Sequence, residues 1–182
     1  MARARFSAAK RARGRAWARL FDMKRSVVAA LLLSPALAAC LSRAEAAPPA
    51  RVTLSGVGHE GQALNNCGPV TAKIILGYYG TRVTQAQAAQ ALKDDSRDVE
   101  VSTQELAAYL ERQGLNTVIR YAGTQAQVRA LVAAKLPVIV QQRLKVGDNT
   151  SHFRTVYAYT PESFTASDSL LGARLTLSES RF

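Results

Sequence analysis

Cys40 and Cys67 are the only thiols of the 182-residue chain, and His59 and His152 its only imidazoles. Cys67 lies in the run Asn65-Asn66-Cys67-Gly68-Pro69. Asparagine is a good N-cap and proline suits a first helical turn, so a helix is expected to open at the cysteine. A thiol at a helix N-terminus meets unpaired N–H groups and partial positive charge, which favour the thiolate. Such a thiolate is a nucleophile for acyl transfer when a histidine lies within hydrogen-bond reach and an acceptor orients that histidine. Helix position alone leaves two other readings open: an inert buried thiol, or a Cys40–Cys67 disulfide. Gly68 would allow the backbone to come close to a substrate.

His152 opens an alternating run that follows a polar loop, where its side chain can face a cleft. His59 sits in a glycine-rich segment just before the cysteine. Asp168 lies sixteen residues beyond His152, at the end of the next strand-like run, and a hairpin of that length can join the two side chains. Taken alone, Asp168 also reads as a turn-capping residue before Ser169. Gln62, five residues before Cys67, can offer a side-chain N–H to an oxyanion beside the Cys67 backbone N–H; its plainer reading is a solvated loop glutamine.

These residues need elements to hold them. Val70, Ile74 and Tyr78 share one face of the helix that opens at Cys67, and Gly80 ends it. Thr84 with Gln87, Ser102 with Glu105 and Thr124 with Gln127 have capping-box spacing, and each precedes a helical run. Asp94–Asp98 reads as a polar loop and Thr117–Tyr121 as a short β-rich run. Val138-Ile139-Val140 reads as a buried strand, and Phe153–Tyr159 alternates with a period near two. Phe164–Asp168 and Arg174–Leu177 read as further strands. Helices first and strands second describe an α+β fold with a mainly antiparallel sheet.

The net charge of +11 is unevenly spread. Residues 1–50 carry ten Lys or Arg and two acids, whereas residues 51–182 carry fourteen and eleven. The basic excess therefore belongs to a leader, and nucleic-acid binding by the rest is disfavoured. From Met23, Lys24 and Arg25 precede an apolar run, Val27–Ala39, too short to span a bilayer comfortably, which reads as a signal peptide. Ala-x-Ala sites at Ala44–Ala47 suit an ordinary signal peptidase. Leu37-Ala38-Ala39-Cys40 resembles a bacterial lipobox, in which Cys40 would carry a lipid and tether the chain to a membrane; otherwise Cys40 is an incidental member of the apolar run. Residues 1–22 read as an over-extended gene start ahead of Met23 or as an unusually long basic region. Glu45–Pro49 reads as a linker, so a single domain is expected from about Arg51 to Phe182.

His59-Glu60-Gly61-Gln62, Asn65-Asn66-Cys67-Gly68-Pro69, Ser151-His152-Phe153-Arg154 and Ala166-Ser167-Asp168-Ser169 together resemble the motifs of bacterial peptidase C39-like domains, over roughly Thr53 to Leu177. The resemblance implies a papain-like fold and a peptidase with Cys67 as nucleophile, His152 as general base and acid, Asp168 as orienter and Gln62 as oxyanion donor. It implies a peptide or protein substrate and no cofactor. Classical members cleave double-glycine leaders and are fused to transporters; nothing in this sequence indicates a transporter, so that substrate does not carry over. Three features depart from the pattern. Classical sequences place the glutamine six residues before the cysteine, a proline often follows the aspartate where Ser169 stands here, and a further helix and strand are expected after Ser180-Arg181-Phe182. Two alternatives use the same residues: a non-catalytic papain-like lipoprotein that binds peptide or cell-wall fragments, and another acyl-transfer enzyme such as a transglutaminase-like protein or amidase. Metal catalysis is disfavoured, because two histidines and one cysteine far apart form no ligand-spacing motif.

Overall fold

The computed structural model describes residues 47–93 and 99–182. The expected signal peptide, Cys40, the start at Met23 and the Asp94–Asp98 loop lie outside the described residues.

The first long element is helix α1, Cys67–Tyr78. It opens where the sequence indicates, but Asn66 does not cap it with its side chain. The Asn66 Nδ2 donates to Gln85 Oε1 at 3.1 Å. Asn65 takes a left-handed φ of 57°, which asparagine tolerates, and the turn closes through an Asn66 N–H bond to the Ala63 carbonyl. Gly68, Pro69, Val70, Thr71, Ala72, Ile74, Ile75 and Leu76 are all buried. A helix buried on nearly every side belongs in the interior.

Three shorter helices follow: α2, Gln85–Leu92, α3, Thr103–Arg112, and α4, Gln125–Ala133. Each begins with the capping box its sequence spells, with Thr84, Ser102 and Thr124 accepting from the N–H three residues on. Gln87, Glu105 and Gln127 accept in return from the cap residue's own N–H. A cap of this kind contributes about 1 kcal/mol, enough to set where a short helix starts.

Among the described residues the five strands are β1, Val52–Thr53, β2, Val138–Arg143, β3, Ser151–Tyr159, β4, Ser163–Asp168, and β5, Gly172–Ser178. All pairings are antiparallel. β1 and β2 share one edge of β3, β1 beside Ala158 and Tyr159 and β2 beside Ser151–Val156. β4 takes the other edge of β3, and β5 follows β4. The α+β expectation is thus met.

Strand alternation divides the core in two. Phe153 of β3 joins Ala72, Ile75 and Leu76 of α1, with Ala88, Leu92, Leu106, Tyr109 and Leu110 of α2 and α3. Val156, on the opposite face, joins Val128 and Val132 of α4 with Phe164 and Ala166 of β4. β3 is buried on both faces. Among the described residues no helix is long and apolar enough to cross a membrane.

Two local expectations fail. Thr117–Tyr121 forms no strand, and Val118 is 80% exposed; no neighbouring strand pairs with this run, so β propensity has nothing to act on. Val138-Ile139-Val140 is only half-buried, because β2 pairs with β3 alone and stands at an edge.

Candidate active site

Cys67 occupies the first position of α1, half-buried and free of any disulfide. With Asn66 turned toward Gln85 and no acid in the first turn, no side chain among the described residues caps this end of the helix. The Cys67 sulfur meets the N–H groups of Gly68 and Phe153 and hydrogen-bonds the His152 ring. His152 is the second residue of β3, paired across to Gln142 of β2, and its side chain is buried. The His152 Nε2 lies 3.0 Å from Asp168 Oδ1, which leaves Nδ1 as the ring nitrogen for Cys67.

Asp168 ends β4 and is 0% exposed. Its Oδ1 also accepts from the Leu170 and Leu171 N–H groups at 2.8 and 2.9 Å. The same carboxylate thus caps the turn after β4 and contacts the His152 ring. The structure brings Cys67, His152 and Asp168 into one hydrogen-bonded row across α1, β3 and β4.

The electrostatics follow from that row. Burial disfavours the Cys67 thiolate, but the His152 hydrogen bond, the Phe153 N–H, the His152 charge and the Gly68 N–H outweigh it and hold the thiol below its ordinary value. Burial likewise disfavours the His152 cation, yet hydrogen bonds to Asp168 and Cys67 and the charges of both push its pKa up to about 9. For Asp168, burial is overcome by the His152 hydrogen bond, the Leu170 and Leu171 N–H groups and the His152 charge, so the carboxyl stays well below the usual carboxylate range. Both shifts favour the thiolate–imidazolium form of the pair.

Gln62 is tied to the residue after Asp168. Its N–H donates to the Ser169 carbonyl at 3.0 Å, and the Ser169 hydroxyl donates to Gln62 Oε1 at 2.6 Å. Thus Ser169, where a proline is common in the resembled family, clamps the glutamine and leaves its Nε2 without a partner among the described residues. Gln85 holds the same loop from the other side. Its Oε1 accepts from the Ala63 N–H at 2.6 Å, and its Nε2 donates to Glu60 Oε1 at 2.7 Å and to the Gly61 carbonyl at 3.2 Å. His59 stands apart from the row: its Nδ1 lies 3.1 Å from Ser167 Oγ.

Three contributors were not visible as such in the sequence: Gln85, the Ser169 hydroxyl and Arg154. Arg154 Nε donates to Asp168 Oδ2 at 2.7 Å from a buried position. Arginine in a strand buried on both faces requires a carboxylate or several carbonyls, and that requirement was the available signal.

Gly68 has a packing reason. A Cβ there would lie 2.9 Å from the Val101 Cβ, so the glycine makes room for the segment leading into α3. Gly68→Ala is expected to cost about 1–3 kcal/mol through overpacking, read as a lowered urea midpoint with an unchanged m-value. A wild-type midpoint would show that Val101 yields freely.

Surface cavities of about 260 Å³, beside His59, Glu60 and Lys73, and about 300 Å³, beside Arg129 and Tyr159, are not lined by Cys67, His152 or Asp168. Among the described residues no three His, Cys, Asp or Glu side chains are grouped as a metal site.

No curated protein matches the chain in sequence. The model of the Peptidase_C39 like family matches residues 53–177, a stretch that runs from β1 into the end of β5 and contains Cys67, His152 and Asp168. With that match over most of its length and an α+β fold of the papain-like kind, the chain belongs to the Peptidase_C39 like family of cysteine-peptidase-type hydrolases.

Proposed function

We propose that the protein is an active cysteine peptidase that hydrolyses peptide bonds through Cys67, His152 and Asp168, with Gln62 completing an oxyanion hole. The observation that carries this reading is the row itself: a thiol at a helix N-terminus, bonded to a buried histidine whose other nitrogen lies 3.0 Å from a buried aspartate.

In this scheme the Cys67 sulfur attacks the carbonyl carbon of the scissile bond. Negative charge develops on the carbonyl oxygen, where the Cys67 N–H and the Gln62 Nε2 donate. His152 passes its Nδ1 proton to the leaving amine as the C–N bond breaks, and a thioester remains on Cys67. His152 then takes a proton from water, whose oxygen attacks the thioester, and the acid product leaves with the thiolate restored. Asp168 holds the ring in the correct orientation and stabilises the imidazolium. Leu64, Leu170 and Leu171 are exposed on the segments that carry Gln62 and Asp168, which suits a substrate with apolar residues at the cleavage site.

The leader extends the proposal to the cell exterior: export through the signal at Met23–Ala47, with lipid attachment at Cys40 as the route to a membrane tether.

Alkylation of the full chain by iodoacetamide, followed at the Cys67 peptide by mass spectrometry across pH, tests the pair directly. The rate is expected to rise at a midpoint well below the free-thiol value of about 8.5. Replacing His152 by alanine is expected to return the midpoint to that value. A wild-type Cys67 that labels like a free thiol, or resists labelling, would indicate a binding protein rather than an enzyme.

A further inference from the structure

Arg154 takes no part in the acyl-transfer scheme, yet it is 3% exposed and bonded to the same carboxylate as His152. Its Nη1 and Nη2 also bond within the protein. They donate to Gln142 Oε1 and the Arg143 carbonyl, each at 3.3 Å, and to the Leu144 carbonyl at 3.0 Å. Every one of these acceptors is neutral, so its only anionic partner among the described residues is Asp168.

The charges facing this cluster can be followed element by element. β3 supplies His152 and Arg154, β4 supplies Asp168, and α1 supplies Cys67. From β2, the Arg143 guanidinium is turned outward onto the Asp148 carbonyl and Asn149 Oδ1. The loop before α1 carries His59, occupied by Ser167, and Glu60, paired with Lys73. On α4, Arg129 is paired with Glu179. Glu105 caps α3, and Glu100 and Lys145 are exposed. Among the described residues the cluster around Asp168 therefore holds two groups that become anionic, Cys67 and Asp168, and two cations, His152 and Arg154.

We propose that Arg154 is a positioning residue of the site, acting through Asp168: its guanidinium is the counter-cation that lets Asp168 and Cys67 be anionic together. The inference rests on the peptidase reading of Cys67 and His152. The geometry divides the carboxylate cleanly. Arg154 takes Oδ2, and Oδ1 is left for His152 and the two turn N–H groups. A thiolate–imidazolium pair then forms inside a neutral set of four groups. Without Arg154 the same pair would leave one uncompensated negative charge in a poorly solvated place. The cheapest relief is to keep the proton on Cys67, so thiolate forms only at higher pH. His152 also holds its proton more tightly, and both limbs of the pH profile move upward.

The test is the pH dependence of Cys67 alkylation in the full chain for wild type, R154Q and the double substitution R154Q/D168N. R154Q is expected to raise the midpoint by about one pH unit or more. The double substitution removes one cation and one anion, restores neutrality, and is expected to bring the midpoint back to or below the wild-type value. A purely structural arginine would give no such recovery. A folded R154Q with the wild-type midpoint overturns the inference, as does a double variant no better than R154Q. Should R154Q not fold, a double variant that folds with a low midpoint supports charge balance; one that fails to fold while D168N folds overturns it. A wild-type midpoint near the free-thiol value sinks the peptidase reading itself and the inference with it, whereas a low wild-type midpoint unmoved in R154Q sinks the inference alone.

Discussion

Cys67→Ala is expected to lower kcat/KM for peptide hydrolysis on the order of 10⁴- to 10⁶-fold, and His152→Ala by a comparable factor. The two losses are not expected to add. The thiolate and the imidazolium make one reacting pair, so removing either removes the chemistry of both. A fluorogenic peptide library weighted toward apolar residues, suggested by the exposed Leu64, Leu170 and Leu171, supplies the substrate. Residual activity in Cys67→Ala within tenfold of wild type would assign the hydrolysis elsewhere. Both variants should remain folded. Cys67 is only half-buried, and removing the His152 ring relieves a buried cation while leaving Asp168 its bonds to Arg154, Leu170 and Leu171. Matching circular dichroism and thermal midpoints within a few degrees would establish that the loss is chemical.

Gln62→Ala carries the next largest expectation, a loss of about a hundredfold or more in kcat with alkylation of Cys67 unchanged. The contrast comes from the two reactions. Peptide hydrolysis passes through a tetrahedral oxyanion that needs donors. Alkylation by iodoacetamide displaces iodide and creates no oxyanion, so it reads only the thiolate. A parallel fall in both rates would mean that Gln62 holds the loop before Cys67 in shape. A loss in kcat below fivefold would remove Gln62 from the oxyanion hole. The spacing of five residues to the cysteine makes this comparison informative. In this chain the glutamine is placed by Ser169 and by the loop that Gln85 pins to α2, rather than by distance along the chain.

Much of the helical half was legible because its signals are local. Thr84, Ser102 and Thr124 bond to residues three positions away, and those bonds form wherever the helix forms. Asn66 shows the limit of the same reasoning. Its type suits a cap, but Gln85, nineteen residues on, takes its side chain. The strand half was less legible, because a β-rich run becomes a strand only beside another. Thr117–Tyr121 has the composition without a partner, whereas Val52–Thr53 is short and forms β1 because Ala158 and Tyr159 lie beside it.

By itself the sequence determined the candidate residues and their order: one cysteine at the start of a helix, one histidine at the head of a strand, and one aspartate at the end of the next strand. Capping, proline placement and alternation act over a few residues, so they are readable without knowing what lies across the core. Only the tertiary structure decided what those groups feel. That Nε2 of His152 meets Oδ1 of Asp168 depends on the pairing of β3 with β4, and that Cys67 lies on the other side of the ring depends on α1 packing against β3. The same packing buries Arg154 against Oδ2 and brings the Ser169 hydroxyl to Gln62. Charge, burial and hydrogen bonding at such a site are sums over neighbours distant in sequence, and a linear chain does not list its neighbours.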